Sequence, residues 1–124
     1  MEVLKKTIIT VLVVCFSVLA NAQQEAALQG AFRESYVQEG NKQYADAITS
    51  LKKVYDERSY EINLRLGWLY YLSKDYPQSQ QYYQNAVGLQ PYSVEAKLGL
   101  VRPLAALQSV DKLLQAYTDI LKID

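Results

Sequence analysis

Few residues in this chain are equipped for covalent or redox chemistry. There is no histidine, and the single cysteine, Cys15, lies in an apolar run near the N-terminus. Beyond that run, imidazole relays, Cys/His zinc and copper sets and haem ligation are excluded. The five glycines, Gly30, Gly40, Gly67, Gly88 and Gly99, are too scattered to cradle a phosphate. Glu57 and Glu61, or Asp75, are the carboxylates that could pair for acid/base work, but solvated helix ends account for them without catalysis. The expectation is therefore no enzyme, no cofactor and no metal. The spacing speaks for binding instead: Leu64, Trp68 and Tyr71 follow one another at four and three residues, as one stripe of a helix.

That stripe needs a helix to carry it. From about Tyr60 to Ser73 the spacing puts Ile62, Leu66, Leu69 and Tyr70 on another side, and one apolar side already suffices to bury a surface helix. The second stripe thus calls for a partner. Gly67 lies on the buried side, where the absence of a side chain lets a second helix approach closely, at about 1 kcal/mol of helix propensity. Ser73-Lys74-Asp75-Tyr76 reads as a turn, and Pro77 suits the first turn of the next helix. That helix carries Ser79, Tyr83, Ala86 and Val87 inward, and Pro91 ends it.

These residues, Leu66-Gly67, Tyr70, Ser79, Tyr83 and Pro91, resemble the tetratricopeptide repeat, a helix-turn-helix unit of about 34 residues. The departures are Asn63 where a large aromatic is usual, Ser79 for alanine and Tyr83 for phenylalanine. The resemblance implies an all-α fold, an α-solenoid of about three repeats over residues 25–59, 60–93 and 94–124. In that family the first helices of the units line a concave groove. By the resemblance Glu61, Leu64, Trp68 and Tyr71 point towards it, joined by Glu34 and Val37 from the first unit and Leu98 and Arg102 from the third. A Trp-Tyr centre flanked by opposite charges has the composition of a binding hot spot. The alternative is that Trp68 fills the seam between neighbouring units. The family's lysine/asparagine clamp for acidic chaperone tails is not visible at these positions.

The flanking units are less regular. A first helix is expected from about Glu25 to Gln38, with Phe32 and Tyr36 each standing one full repeat length before Leu66 and Tyr70. Ala47 and Ser79 are closer together than that by two positions, which reads as a longer first turn, Glu39 to Gln43, balanced by a shorter joint at Asp56–Ser59. Ser59 and Ser93 suit helix N-caps. In the third unit Pro103 should kink or interrupt the first helix. The last helix, from about Ser109, has apolar residues over too wide an arc for one neighbour, so Leu113, Tyr117, Ile120 and Leu121 are candidates for self-association or a partner.

Ahead of all this, Lys5 and Lys6, the apolar run Thr7–Ala20 and the small-x-small ending Ala20-Asn21-Ala22 read as a secretory signal peptide, residues 1–22, with residues 23–124 as the domain. An uncleaved anchor is the alternative, although the run is shorter than the roughly 20 residues of a spanning helix. Val14 before Cys15 argues against lipidation. What remains after removal of residues 1–22 is enough for one small domain without a disulfide. With Lys5, Lys6 and Glu2 gone, acidic residues outnumber basic ones by one, and nothing in this balance suggests a nucleic-acid surface, so no nucleic-acid partner is expected. The functional expectation is an exported adaptor, periplasmic or secreted, binding a protein or peptide. An assembly subunit and glycan stacking on Trp68 and Tyr71 are the alternatives.

Overall fold

The computed structural model describes residues 1–123, and among these the chain is all helical. Six helices follow in order: α1 Glu2–Gly40, α2 Tyr44–Lys52, α3 Tyr60–Leu72, α4 Tyr76–Leu89, α5 Val94–Ala106 and α6 Val110–Leu121. Each odd-numbered helix packs on the even one after it, and α2 on α3 and α4 on α5 continue the stack in chain order.

One turn, used three times, sets this arrangement. After α1, α3 and α5 the chain passes through a left-handed residue, Lys42 (φ 62°), Lys74 (φ 66°) and Gln108 (φ 54°). The amide of the next residue reaches five positions back: Gln43 to Gln38, Asp75 to Tyr70 and Ser109 to Leu104. This paired-bond ending satisfies carbonyls that a helix terminus would otherwise leave orphaned. The residue that closes each turn is also the N-cap of the following helix, and Asp75 accepts a bond from the Gln78 amide. Ser59 and Ser93 cap α3 and α5 through the amides of Ile62 and Ala96, as their sequence positions predict.

The turn also corrects the sequence register. The first turn is no longer than the others. Lys42 lies nearer in sequence to Lys74 than Lys74 does to Gln108, by two positions. The hairpin equivalents are therefore Phe32, Leu64 and Leu98, then Tyr36, Trp68 and Arg102, so the full-repeat matches of Phe32 with Leu66 and of Tyr36 with Tyr70 are coincidental. The shortening falls in α2, which ends at Lys52, and the joint that follows, residues 53–59, is longer than residues 90–93, not shorter.

Burial follows the corrected register. Ala31, Ala47, Ile48, Leu51, Ile62, Leu66, Leu69 and Tyr82 form the core, with Leu28, Phe32, Val54 and Tyr70 packed against it. Tyr83 of α4 seats its ring between α3 and α5, so close that a Cβ on Gly67 would lie 2.8 Å from the ring and one on Gly99 would overlap it. Ser79, standing where alanine is usual in the resembled family, donates to the Gly67 carbonyl at 2.7 Å. Buried Asn63 ties the α2–α3 joint. Its amide nitrogen donates to the carbonyls of Glu57 and Ser59, and its oxygen accepts from Tyr55 and Asn85.

Three further expectations meet corrections. Pro103 does not interrupt α5, which runs through it. The proline is buried, and its missing N–H leaves the Gly99 carbonyl without its usual partner in the helix. The first helix does not begin near Glu25: α1 is continuous from Glu2, and residues 1–22 are exposed throughout. That half is long and apolar enough to cross a membrane, with a mean hydropathy of 2.1 over its best window. On α6, Tyr117 is 47% and Leu121 84% exposed, whereas Leu113 and Ile120 are half-buried. Tyr117 is the equivalent of Tyr83, and no further helix covers it among the described residues.

Candidate functional site

A groove of about 470 Å³ opens along the first helices of the three hairpins, within the range typical of ligand sites. From α3 come Tyr60, Glu61, Leu64, Arg65 and Trp68. Phe32 and Tyr36 of α1 form one wall, Glu95 and Arg102 of α5 the other, and Tyr83 of α4 closes the base. At one end the Tyr60 and Ser93 hydroxyls meet at 2.7 Å, joining the starts of α3 and α5. Past Trp68 the depression continues over Glu39, Lys42, Tyr44 and Leu72.

Trp68 is both a groove residue and a seam residue. It is half-buried, its indole N–H donates to Glu39 Oε1 of α1 at 2.8 Å, and the Arg102 guanidinium of α5 lies 5.2 Å from its ring centroid. Tyr71 stacks beside it at 5.8 Å between centroids. The three elements thus meet at one indole, which stays half-exposed.

Arg65 is a site residue that spacing does not single out. It is buried, with only 7% of its surface exposed, and its Nε donates to Ser35 Oγ of α1 at 3.2 Å. Its Nη1 pairs with Glu39 Oε2, and the Tyr36 ring covers the guanidinium with its centroid 3.9 Å from Cζ. Its Nη2 has no hydrogen-bond partner. Glu39 therefore spends one oxygen on Arg65 and the other on Trp68, and α1 is tied to α3 by these long side chains. A buried pair of this kind holds geometry more than it adds stability, because desolvation offsets most of the attraction.

Of the expected site residues, Glu61, Leu64, Trp68 and Arg102 line the groove together. Tyr71 supports Trp68 from behind rather than lining it. Glu34 is exposed and takes a bond from Gln38 along its own helix, away from the groove, and Val37 and Leu98 are likewise exposed outside it. For Glu34 and Val37 the reason is the shorter register of the first hairpin, which turns Phe32 and Tyr36 to the groove instead. The separation of Ala47 from Ser79 carried that signal.

The charges are unevenly used. Glu61 and Glu95 lie in the first turns of α3 and α5, where helix dipoles favour anions, and neither they nor Arg102 forms an ion pair among the described residues. Burial pushes the Tyr83 phenol above its ordinary value, with nearby Arg102 opposing the shift. No group of three or more Asp, Glu or Cys side chains converges as a metal-ligand set among the described residues. No protein-family model and no curated protein matches this chain. The arrangement suits non-covalent recognition: an apolar aromatic floor, hydrogen-bonding rims and charges of both signs.

Proposed function

We propose that this protein is an exported, non-catalytic adaptor, an α-solenoid of three tetratricopeptide-like hairpins that holds an extended segment of a protein partner in the cell envelope. The signal peptide would end at Ala22, leaving the hairpin domain in the periplasm or outside the cell. One observation carries the binding reading: Trp68 stands half-open in a groove to which all three first helices contribute, already oriented by Glu39, Tyr71 and Arg102. An aromatic fixed in place by its neighbours gives contact area to a ligand with little further loss of conformational freedom.

Trp68 is the only tryptophan, so its fluorescence reports the groove directly. Titration with a library of extended peptides, with oligosaccharides in parallel, should shift its emission for peptides alone, and Leu64→Asp should abolish the shift. Emission unchanged by every peptide would overturn the reading.

A second reading draws on α6. The exposure of Tyr117 and Leu121 supports association through the end of the stack, with Leu113 and Ile120 holding that helix in place. Sedimentation would then show an oligomer that survives Trp68→Ala and dissociates with Tyr117→Asp.

A further inference from the structure

The Trp68 groove has a chemical polarity along its length. Glu61 and Glu95 sit at the end where α3 and α5 begin, and Arg65 and Arg102 sit further along the same helices. Glu61, Glu95 and Arg102 have no ionic partner among the described residues, so their charges face the groove uncompensated. The second, independent sign is Arg65. It is buried on the inner wall, two of its nitrogens are committed to Ser35 and Glu39, and Nη2 is left without an acceptor beneath the Tyr36 ring. A buried donor without a partner is costly, and an arriving oxygen acceptor would relieve it. Arg65 and the Tyr36 ring over it both line the groove, and Tyr36 is 60% exposed.

We infer that the groove selects a peptide segment carrying a lysine or arginine and an aspartate or glutamate about three residues apart, with apolar residues between them. The cation lies against Glu61 and Glu95 and the carboxylate against Arg102, while Nη2 of Arg65, one turn past Glu61, meets a backbone carbonyl of the segment between them. Spacing supports the match. Glu95 and Arg102 are seven residues apart on one helix, an axial separation of about 10.5 Å. An extended chain covers about 10 Å in three residues. Leu64 lies between the charged ends and would take the apolar pair, with the exposed part of Trp68 beside Arg102. This inference rests on the groove-binding reading above, and adds the charge pattern of the occupant.

The test uses the full chain in mild detergent and follows Trp68 emission. The probes are Ac-Lys-Leu-Leu-Glu-NH2, its reversed order Ac-Glu-Leu-Leu-Lys-NH2, and the neutral Ac-Gln-Leu-Leu-Gln-NH2. One of the two charged orders should bind about ten-fold more tightly than the neutral peptide, with the advantage shrinking as salt rises. Arg102→Gln should weaken that peptide several-fold, and by clearly more than it weakens the glutamine-for-glutamate analogue, which loses only the Trp68 contact of Arg102. Glu61→Gln with Glu95→Gln should do the same at the lysine. All three side chains are exposed, so these variants keep the fold. Equal binding of charged and neutral peptides would overturn the charge inference while leaving the groove reading standing. No response to any of the three probes would overturn the charge inference, and the groove reading falls with it only if the wider peptide library is silent as well.

Discussion

The guanidinium of Arg102 lies over the indole of Trp68, 5.2 Å from the ring centroid, and the two residues hold the same position in successive hairpins. This contact joins the α3 and α5 sides of the groove. It also ties the stability of the seam to the shape of the binding surface.

Trp68→Ala removes a half-buried indole, its bond to Glu39 and its stack with Tyr71. The expected loss is about 2 kcal/mol, below the roughly 3 to 5 kcal/mol of a fully buried aromatic, because part of the ring is already in water. Urea unfolding followed by circular dichroism measures it. A loss near zero would mean that the Glu39 and Arg102 contacts contribute nothing to the seam.

Glu39→Ala strands the buried Arg65 charge and should cost about 3 kcal/mol, more than its small side chain area accounts for. Adding Arg65→Met in the Glu39→Ala background should recover at least about half of that, since the uncompensated charge is then gone. The four corners of this cycle, read by chemical denaturation, give the coupling. Additive losses would contradict the pairing.

Gly99→Ala places a methyl group inside the Tyr83 ring and should destabilise the protein by about 2 kcal/mol. Alanine elsewhere in a helix would instead add stability by propensity, so the sign itself is diagnostic. Combined with Tyr83→Leu, the residue type that the first hairpin carries at the equivalent Leu51, the loss should be smaller than the sum of the two single changes.

Alkaline pH should destabilise the protein through its buried phenols. Burial holds the Tyr83 phenol above its ordinary value, and burial acts in the same direction on Tyr55 and Tyr70. The unfolded chain gives up these protons first, at about pH 10, so stability falls as pH rises through and beyond that value. Thermal melts across the alkaline range should show this decline, and Tyr83→Phe should reduce it.

Much of the architecture was legible in the sequence. The two-sided pattern of Tyr60–Ser73, the caps at Ser59 and Ser93, the turn before Pro77 and the glycine at which a second helix comes close are local chemistry, and local chemistry is written in spacing. The central part of the groove, Glu61, Leu64 and Trp68, followed from the same helix. Its first-hairpin wall did not. Spacing alone puts Phe32 and Tyr36 with the core, where Phe32 does pack while also lining the groove, and puts Glu34 and Val37 in the groove, because two periodic matches at the full repeat length outweigh the one, Ala47 with Ser79, that falls short of it.

The sequence alone determined that six amphipathic segments would form and where most of them would start and stop, since hydrogen bonds within a helix and its caps involve neighbours in the chain. Only the tertiary structure decided which face of α1 meets α3, because that depends on the packing partner. It also decided the fate of Arg65: a charge is ordinarily solvated, and only Ser35 and Glu39, brought over from another helix, allow it to be buried beneath Tyr36.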